Sequence, residues 1–239
     1  MQCSITVNIY QIRDRIAASG NPVVTNRLVS VIAGVSIASS QVYLNRMLRA
    51  GMLVHIERGR YAMQAEPFSV ASNIVFPSYI SFVTALSINQ LIDQVIDRIL
   101  IVTSLKRRGT SFQEYPIRFV SMKPRLIFGY RKITRGGYQA FIAESEKAVL
   151  DTLYLPRYGR LNHLPDVIRE GVDSDRLVEW CRRFAVEAVT RRTGYLLDLL
   201  GIRNNLVPSG RTPYLLNPAL GRTGRLDSKW HLYINEEIT

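Results

Sequence analysis

The chain has 239 residues, 47% hydrophobic and 21% charged, enough apolar material for one sizeable core or two modest ones, which excludes global disorder. Its longest apolar runs, such as Ile99-Leu100-Ile101-Val102, are far too short to span a bilayer, and no basic segment leads into an apolar core at the N-terminus, so neither a membrane nor a signal peptide is expected. A net charge of +12 favours polyanionic partners, and the composition reads as cytoplasmic.

The first segment, Val7 to Ser19, repeats Ile9, Ile12, Ile16 and Ala17 at helical spacing and stops at Ser19-Gly20-Asn21-Pro22, so it predicts a helix. Thr25 to Ala33 predicts a second, with Thr25 as N-cap and Gly34 as a left-handed stop. A third is expected from Ser36 or Ser39 to about Ala50, with Val42, Leu44, Leu48 and Met47 inward and Gly51 at its end. Leu53 to Ile56 and Tyr61 to Met63 read as two strands around the turn Glu57-Arg58-Gly59-Arg60. Three short helices followed by a basic hairpin is the layout of a winged helix-turn-helix, which commonly places one helix in the DNA major groove.

Beyond the hinge Gln64 to Pro67 the texture changes. Ser81 to Leu91 reads as helix, Ile99 to Thr103 and Ile117 to Val120 as strands, Phe141-Ile142 as a strand end, and Ser145 to about Tyr154 as helix. This is a mixed sheet without the regular alternation of a doubly wound fold. Leu164–Glu170, Ser174–Phe184 and Val186–Leu200 read as helices. The Gly- and Pro-rich tail ends in Trp230 to Ile234, which alternates like a strand. Residues 1–63 hold seven Arg against two acidic residues, residues 64–160 thirteen basic against seven acidic, and residues 161–239 eleven against ten. The basic excess thus lies in the first two thirds. The expected organisation is α+β: residues 1–65 as the winged helix-turn-helix, 66–160 as a mixed α/β domain, and 161–239 as a mostly helical extension with a terminal strand.

If the third helix turns Val42, Leu44 and Leu48 inward, then Ser39, Ser40, Tyr43, Arg46 and Arg49 lie wholly or partly outward, with Gln41 and Asn45 at the border. Gln and Asn can pair with adenine and Arg with guanine, while serines at a helix start can hold phosphate. The plain alternative is a solvated helix face. Arg58 and Arg60 flank the hairpin tip, suited to a minor groove or to phosphate. Lys106, Arg107 and Arg108 form a second basic patch, equally readable as a solvated loop.

Glu144, Glu146, Lys147 and Asp151 invite an enzyme reading, a metal-dependent nuclease or a nucleotide-modifying protein guided by the same DNA-binding unit. The spacing fails the E-x-K strand pattern, and the start of a helix accounts for the segment better: Ser145 as cap, Glu146 at the positive end, and Ala148, Val149, Leu150 and Leu153 inward. No phosphate loop, nucleophile elbow, HExxH or kinase signature occurs. Cys3 and Cys181 belong to no metal-ligand cluster and read as reduced thiols, with a disulfide left open; His55, His163 and His231 share no ligand spacing. No metal, cofactor or catalytic residue is assigned.

In order along the chain, Gly51-Met52-Leu53-Val54 with Arg58-Gly59-Arg60-Tyr61-Ala62-Met63, then Ala71-Ser72, Pro77-Ser78-Tyr79-Ile80-Ser81, Ala85-Leu86-Ser87, Ile101-Val102-Thr103, Phe128-Gly129 and Ile142 to Asp151 resemble the AbiEi family of antitoxins and transcriptional regulators of type IV toxin–antitoxin systems. The resemblance covers about residues 5–160; Asn217-Pro218 and Trp230 to Asn235 are similar to longer members. It implies an autoregulating repressor that binds double-stranded operator DNA; the winged-helix reading adds target sites that are repeated or palindromic, and a homodimer. It also implies an antitoxin domain that counteracts a nucleotidyltransferase-type toxin without a stable complex. The chain departs from short members in residues 161–239, whose role the resemblance leaves open. A third reading is a winged helix that binds protein.

Overall fold

The structure is a computed structural model and describes residues 8–238; Val7, at the start of the first expected helix, and Cys3 lie outside the described residues. The fold is mixed α+β. No single helix among the described residues is long and apolar enough to cross a membrane.

The N-terminal part comprises α1 (Ile9–Ala18), β1 (Val23–Val24), α2 (Asn26–Ala33), α3 (Ile37–Arg49), β2 (Leu53–Glu57) and β3 (Arg60–Met63). Each helix starts where a short polar side chain takes over an orphan backbone donor. Asn8 caps α1 in a capping box with Gln11, Thr25 Oγ1 accepts from Leu28 N, and Ser36 Oγ accepts from Ser39 N, so Ser36 is the cap of α3. α2 ends at Gly34, whose φ of 65° lies in the left-handed region that a Cβ disfavours. That stop turns the chain sharply: α2 and α3 meet at a 102° bend across Gly34, Val35 and Ser36. Ile12, Ile16, Val29, Leu44, Met47, Leu53 and Met63 close a core of their own. Burying a side chain such as Leu44 or Met47 contributes about 1.5–3 kcal/mol.

β2 and β3 pair antiparallel, β1 adds to β3, and a bulge interrupts β2 between His55 and Glu57. The bulge re-aims the strand. Val54 and His55 both face solvent while Ile56 turns under the hairpin into the main core, joined there by Val23 and Ala62.

That main core surrounds a six-stranded sheet of β4 (Ser78–Ile80), β5 (Ile99–Thr103), β6 (Thr110–Phe112), β7 (Tyr115–Ser121), β8 (Tyr130–Arg135) and β9 (Tyr138–Ala143) in the order β6-β7-β5-β4-β9-β8. β5 runs parallel to β7, β4 runs parallel to β9, and the other pairs are antiparallel. The helices are α4 (Pro67–Asn73), α5 (Phe82–Ile88) and α6 (Ser145–Tyr154), then α7 (Leu164–Gly171), α8 (Ser174–Phe184) and α9 (Glu187–Leu199). Successive strand residues point to opposite faces. Ser78 Oγ donates to the carbonyls of Ser72 and Val75, beneath α4 and its end, whereas Tyr79 and Ser81 donate to Asp151 of α6. The central strands are therefore covered on both faces, which is why all of β5 is buried.

The core does not break near residue 160. Leu150 and Leu153 share one cluster with Leu177, Phe184, Val189, Leu196 and Trp230. The tail is short strands and loops, with β10 (Tyr214–Leu215), β11 (Arg225–Asp227) and β12 (Leu232–Ile234) in the order β10-β12-β11. Its backbone is tied to α9 by two buried arginines. Arg191 donates to the carbonyls of Thr212 (2.7 Å) and Gly210 (3.0 Å), and Arg192 to those of Leu153 (2.6 Å) and Leu215 (2.8 Å). Burial pushes Arg192 down to about 10, so it keeps its charge at neutral pH.

Candidate nucleic-acid interface

α3 presents its exposed face through Ala38, Ser39, Val42, Asn45, Arg46 and Arg49, positions three or four apart that share one side of a helix. Neither Arg46 nor Arg49 enters an ion pair or side-chain hydrogen bond among the described residues. Both sit in the last turn of α3, where the negative end of the helix dipole favours cations. Their guanidiniums are available to an external anion.

Two expectations on this helix are corrected. Ser40 is fully buried: its hydroxyl donates to the Ile37 carbonyl (2.7 Å) and lies 3.4 Å from Asn26 Oδ1, so it joins α3 to α2 and cannot hold phosphate. Val42, read as inward, is 51% exposed. The buried stripe is Ser40, Leu44 and Met47, rotated from the one that apolar residue type suggested. A serine fits inward because its hydroxyl bonds within its own turn.

Gln41 is half-buried and already engaged, accepting from Asn26 Nδ2 (2.6 Å) and donating to Asn45 Oδ1 (3.1 Å). These bonds hold the Asn45 amide in place on the exposed face. Tyr43 packs against the N-terminal core and is half-buried, so it lies partly outward. Ser39 is exposed at the start of α3, its hydroxyl 2.9 Å from that of Ser36.

At the hairpin tip Arg58 is exposed and unpaired among the described residues, while Arg60 donates to Glu57 Oε1 at 2.9 Å. The other oxygen of Glu57 accepts from Arg107 at 2.5 Å. Arg107 also lies over the Phe119 ring, 4.1 Å from its centroid, a favourable cation–π arrangement. The patch Lys106, Arg107 and Arg108 therefore divides. Lys106 and Arg108 are exposed, whereas Arg107 fastens the hairpin to the sheet. Sequence spacing could not show this, because the partners are fifty residues apart.

Glu144, Glu146, Lys147 and Asp151 do not converge on a cleft. Ser145 is not the cap of α6; Glu144 holds that position and makes no side-chain cap bond. Glu146 is buried and takes both of its oxygens to Arg176 of α8 at 2.8 Å, also accepting from Asp173 N. Lys147 and Asp151, one helical turn apart, are paired with no solvent exposure. Asp151 also accepts from Ser81 Oγ (2.7 Å) and Tyr79 Oη (3.1 Å), and the rings of Tyr79, Phe128 and Phe184 enclose the ammonium. Burial raises the Asp151 carboxyl and the Tyr79 phenol and lowers the Lys147 ammonium. No group of three or more His, Cys, Asp or Glu suited to a metal occurs among the described residues.

The chain matches no known protein family model and no curated protein. It is similar to the crystal structure of the RV2827C protein from Mycobacterium tuberculosis, with a TM-score of 0.54 and 15% sequence identity over 93% of this chain and 89% of that chain. The likeness is one of fold, and it extends over the C-terminal third as well as the N-terminal part.

Proposed function

We propose that residues 8–63 form a winged helix-turn-helix that binds double-stranded DNA, with α3 in the major groove and the β2–β3 hairpin as the wing. The observation that carries this reading is the 102° bend of α2 against α3 across a three-residue turn, the geometry of a helix-turn-helix, together with Asn45, Arg46 and Arg49 exposed on the second helix. Arg58, Lys106 and Arg108, without ion-pair partners among the described residues, add charge for the flanking phosphates. Replacing Arg46 and Arg49 by Ala removes the two guanidiniums able to read guanine, each worth about 1–3 kcal/mol when bidentate. A gel shift on the DNA upstream of the gene is expected to show that loss. Unchanged affinity of the double variant at physiological salt overturns the reading.

The second part of the proposal is that the protein represses its own operon and opposes a nucleotidyltransferase-type toxin without a stable complex. It rests on the ordered motifs that resemble those of AbiEi antitoxins. Co-expression with the neighbouring toxin gene is expected to restore growth, and failure to do so leaves a plain DNA-binding regulator. The enzyme reading gains nothing from the geometry, since Lys147 and Asp151 are closed to substrate.

A further inference from the structure

One cleft in the α/β body lies outside everything assigned above. Arg98 stands just before β5 and Leu100 near its start, the exposed side of β7 supplies Arg118, and the short turn after α6 supplies Arg157, Tyr158 and Arg160. These residues come from three stretches of chain far apart in sequence. Residues 157–160 can approach α6 this closely because position 159 is glycine. A Cβ there would lie 2.5 Å from Thr152 Cγ2, inside the closest contact carbon atoms tolerate. The cleft has a volume of about 220 Å³, many times what a single water needs.

Its charge is unbalanced. Among the described residues Asp97 is the one acidic residue of the lining, and it is taken by Arg98 at 2.9 Å. Arg118, Arg157 and Arg160 have neither a carboxylate nor a side-chain hydrogen-bond acceptor among the described residues. Arg118 and Arg157 both lie against the Tyr158 ring, 5.0 and 4.9 Å from its centroid, which holds their planar ends beside the cleft. Converging guanidiniums repel one another unless an anion sits between them. Each offers five N–H groups in a fork that matches phosphate. Gln94, also in the lining, has a buried Oε1 without a partner, and such an acceptor is costly unless an N–H or O–H reaches it. Val83 and Leu100 supply an apolar wall.

We propose that this cleft binds a small phosphate-bearing ligand of the nucleotide class. Arg118, Arg157 and Arg160 take the phosphate, and a turn of the Gln94 side chain frees its buried Oε1 to accept from a base or ribose donor. The site uses no residue of α3 or the hairpin, so the proposal stands whether or not the N-terminal part binds DNA.

Calorimetric titration of the full chain at physiological salt tests it, with inorganic phosphate, the common ribonucleoside 5′-monophosphates, the parent nucleosides and a short single-stranded oligonucleotide as probes. The expected result is saturable binding of at least one monophosphate, tighter than phosphate alone, with its parent nucleoside bound at least tenfold more weakly. Arg118→Ala/Arg160→Ala removes two exposed side chains and is expected to weaken that binding at least tenfold. Arg203→Ala/Arg211→Ala removes the same charge from exposed positions elsewhere and is expected to leave it unchanged. Gln94→Leu is expected to weaken the monophosphate while sparing inorganic phosphate. The proposal is overturned by absence of saturable monophosphate binding, by equal loss in both arginine pairs, or by an oligonucleotide that binds through the same arginines more tightly than any monophosphate.

Discussion

The buried pair of Lys147 and Asp151 makes a prediction whose size follows from its surroundings. Asp151→Asn keeps a polar group for Tyr79 and Ser81 but leaves the Lys147 ammonium enclosed by aromatic rings with no counter-charge. Removing one member of a buried pair costs about 3–5 kcal/mol, which for a chain of this length is about 6–20 °C in melting temperature. Lys147→Met is expected to cost less, because the carboxylate retains two hydroxyl donors. The double variant Lys147→Met/Asp151→Asn leaves no uncompensated charge and is expected to fall within about 2 kcal/mol of the original. Urea unfolding of all four proteins completes the cycle.

The pH dependence has a definite sign. In the folded state Asp151 holds a proton that the unfolded chain has released, so stability falls as pH rises from the usual carboxylate range through its raised value. Lys147 releases its proton early on folding, so stability returns as pH rises from its lowered value toward 10.5. The double variant is expected to lose this trough. Additive costs of the two single changes, or a trough that persists in the double variant, would refute the account of a sealed and mutually dependent pair.

Arg107→Ala removes the link from Glu57 to the sheet and is expected to cost about 1–3 kcal/mol; hydrogen exchange should show faster exchange in residues 53–63 than in the sheet. Glu146→Gln weakens the bidentate contact with Arg176 of α8, with an expected loss of about 1–3 kcal/mol read by thermal unfolding. Ser36→Ala removes the cap of α3 and is expected to cost about 1 kcal/mol in urea unfolding, whereas Ser39→Ala, which caps nothing, should be nearly neutral. Gly159→Ala should lower the melting temperature by displacing the turn from Thr152, while the same change at Gly221, with open space around it, should not.

Caps and stops were readable in the sequence because they act locally. Thr25, Gly34, Gly51 and Gly59 bound their elements as short-range chemistry requires, and the three C-terminal helices followed from periodicity. The rotation of α3 was not readable, because Ser40 becomes an inward residue only once Asn26 of α2 is beside it. β4 escaped notice as three residues between Pro77 and Phe82, although it lies at the centre of the sheet. β8, with Arg131, Lys132 and Arg135, has the composition of a loop because it is an edge strand. The basic patch 106–108 was visible as charge, but the division of Arg107 from its neighbours depended on Glu57. The cleft around Arg118 left no local signal, since its arginines are scattered over more than sixty residues.

The two arginines of α9 give the irregular tail a part in the stability of the whole body. Their guanidiniums are solvated by peptide carbonyls in place of water, most of them from residues 209–215. A chain ending near residue 205 would have to rehydrate both, and water reaching Arg192 would also reach Leu153, on the same helix as Lys147 and Asp151. Shortening the C-terminus would therefore loosen the helical cover over the sheet from the inside. Residues 209–215 act as the solvent shell that lets α9 carry charge into the interior.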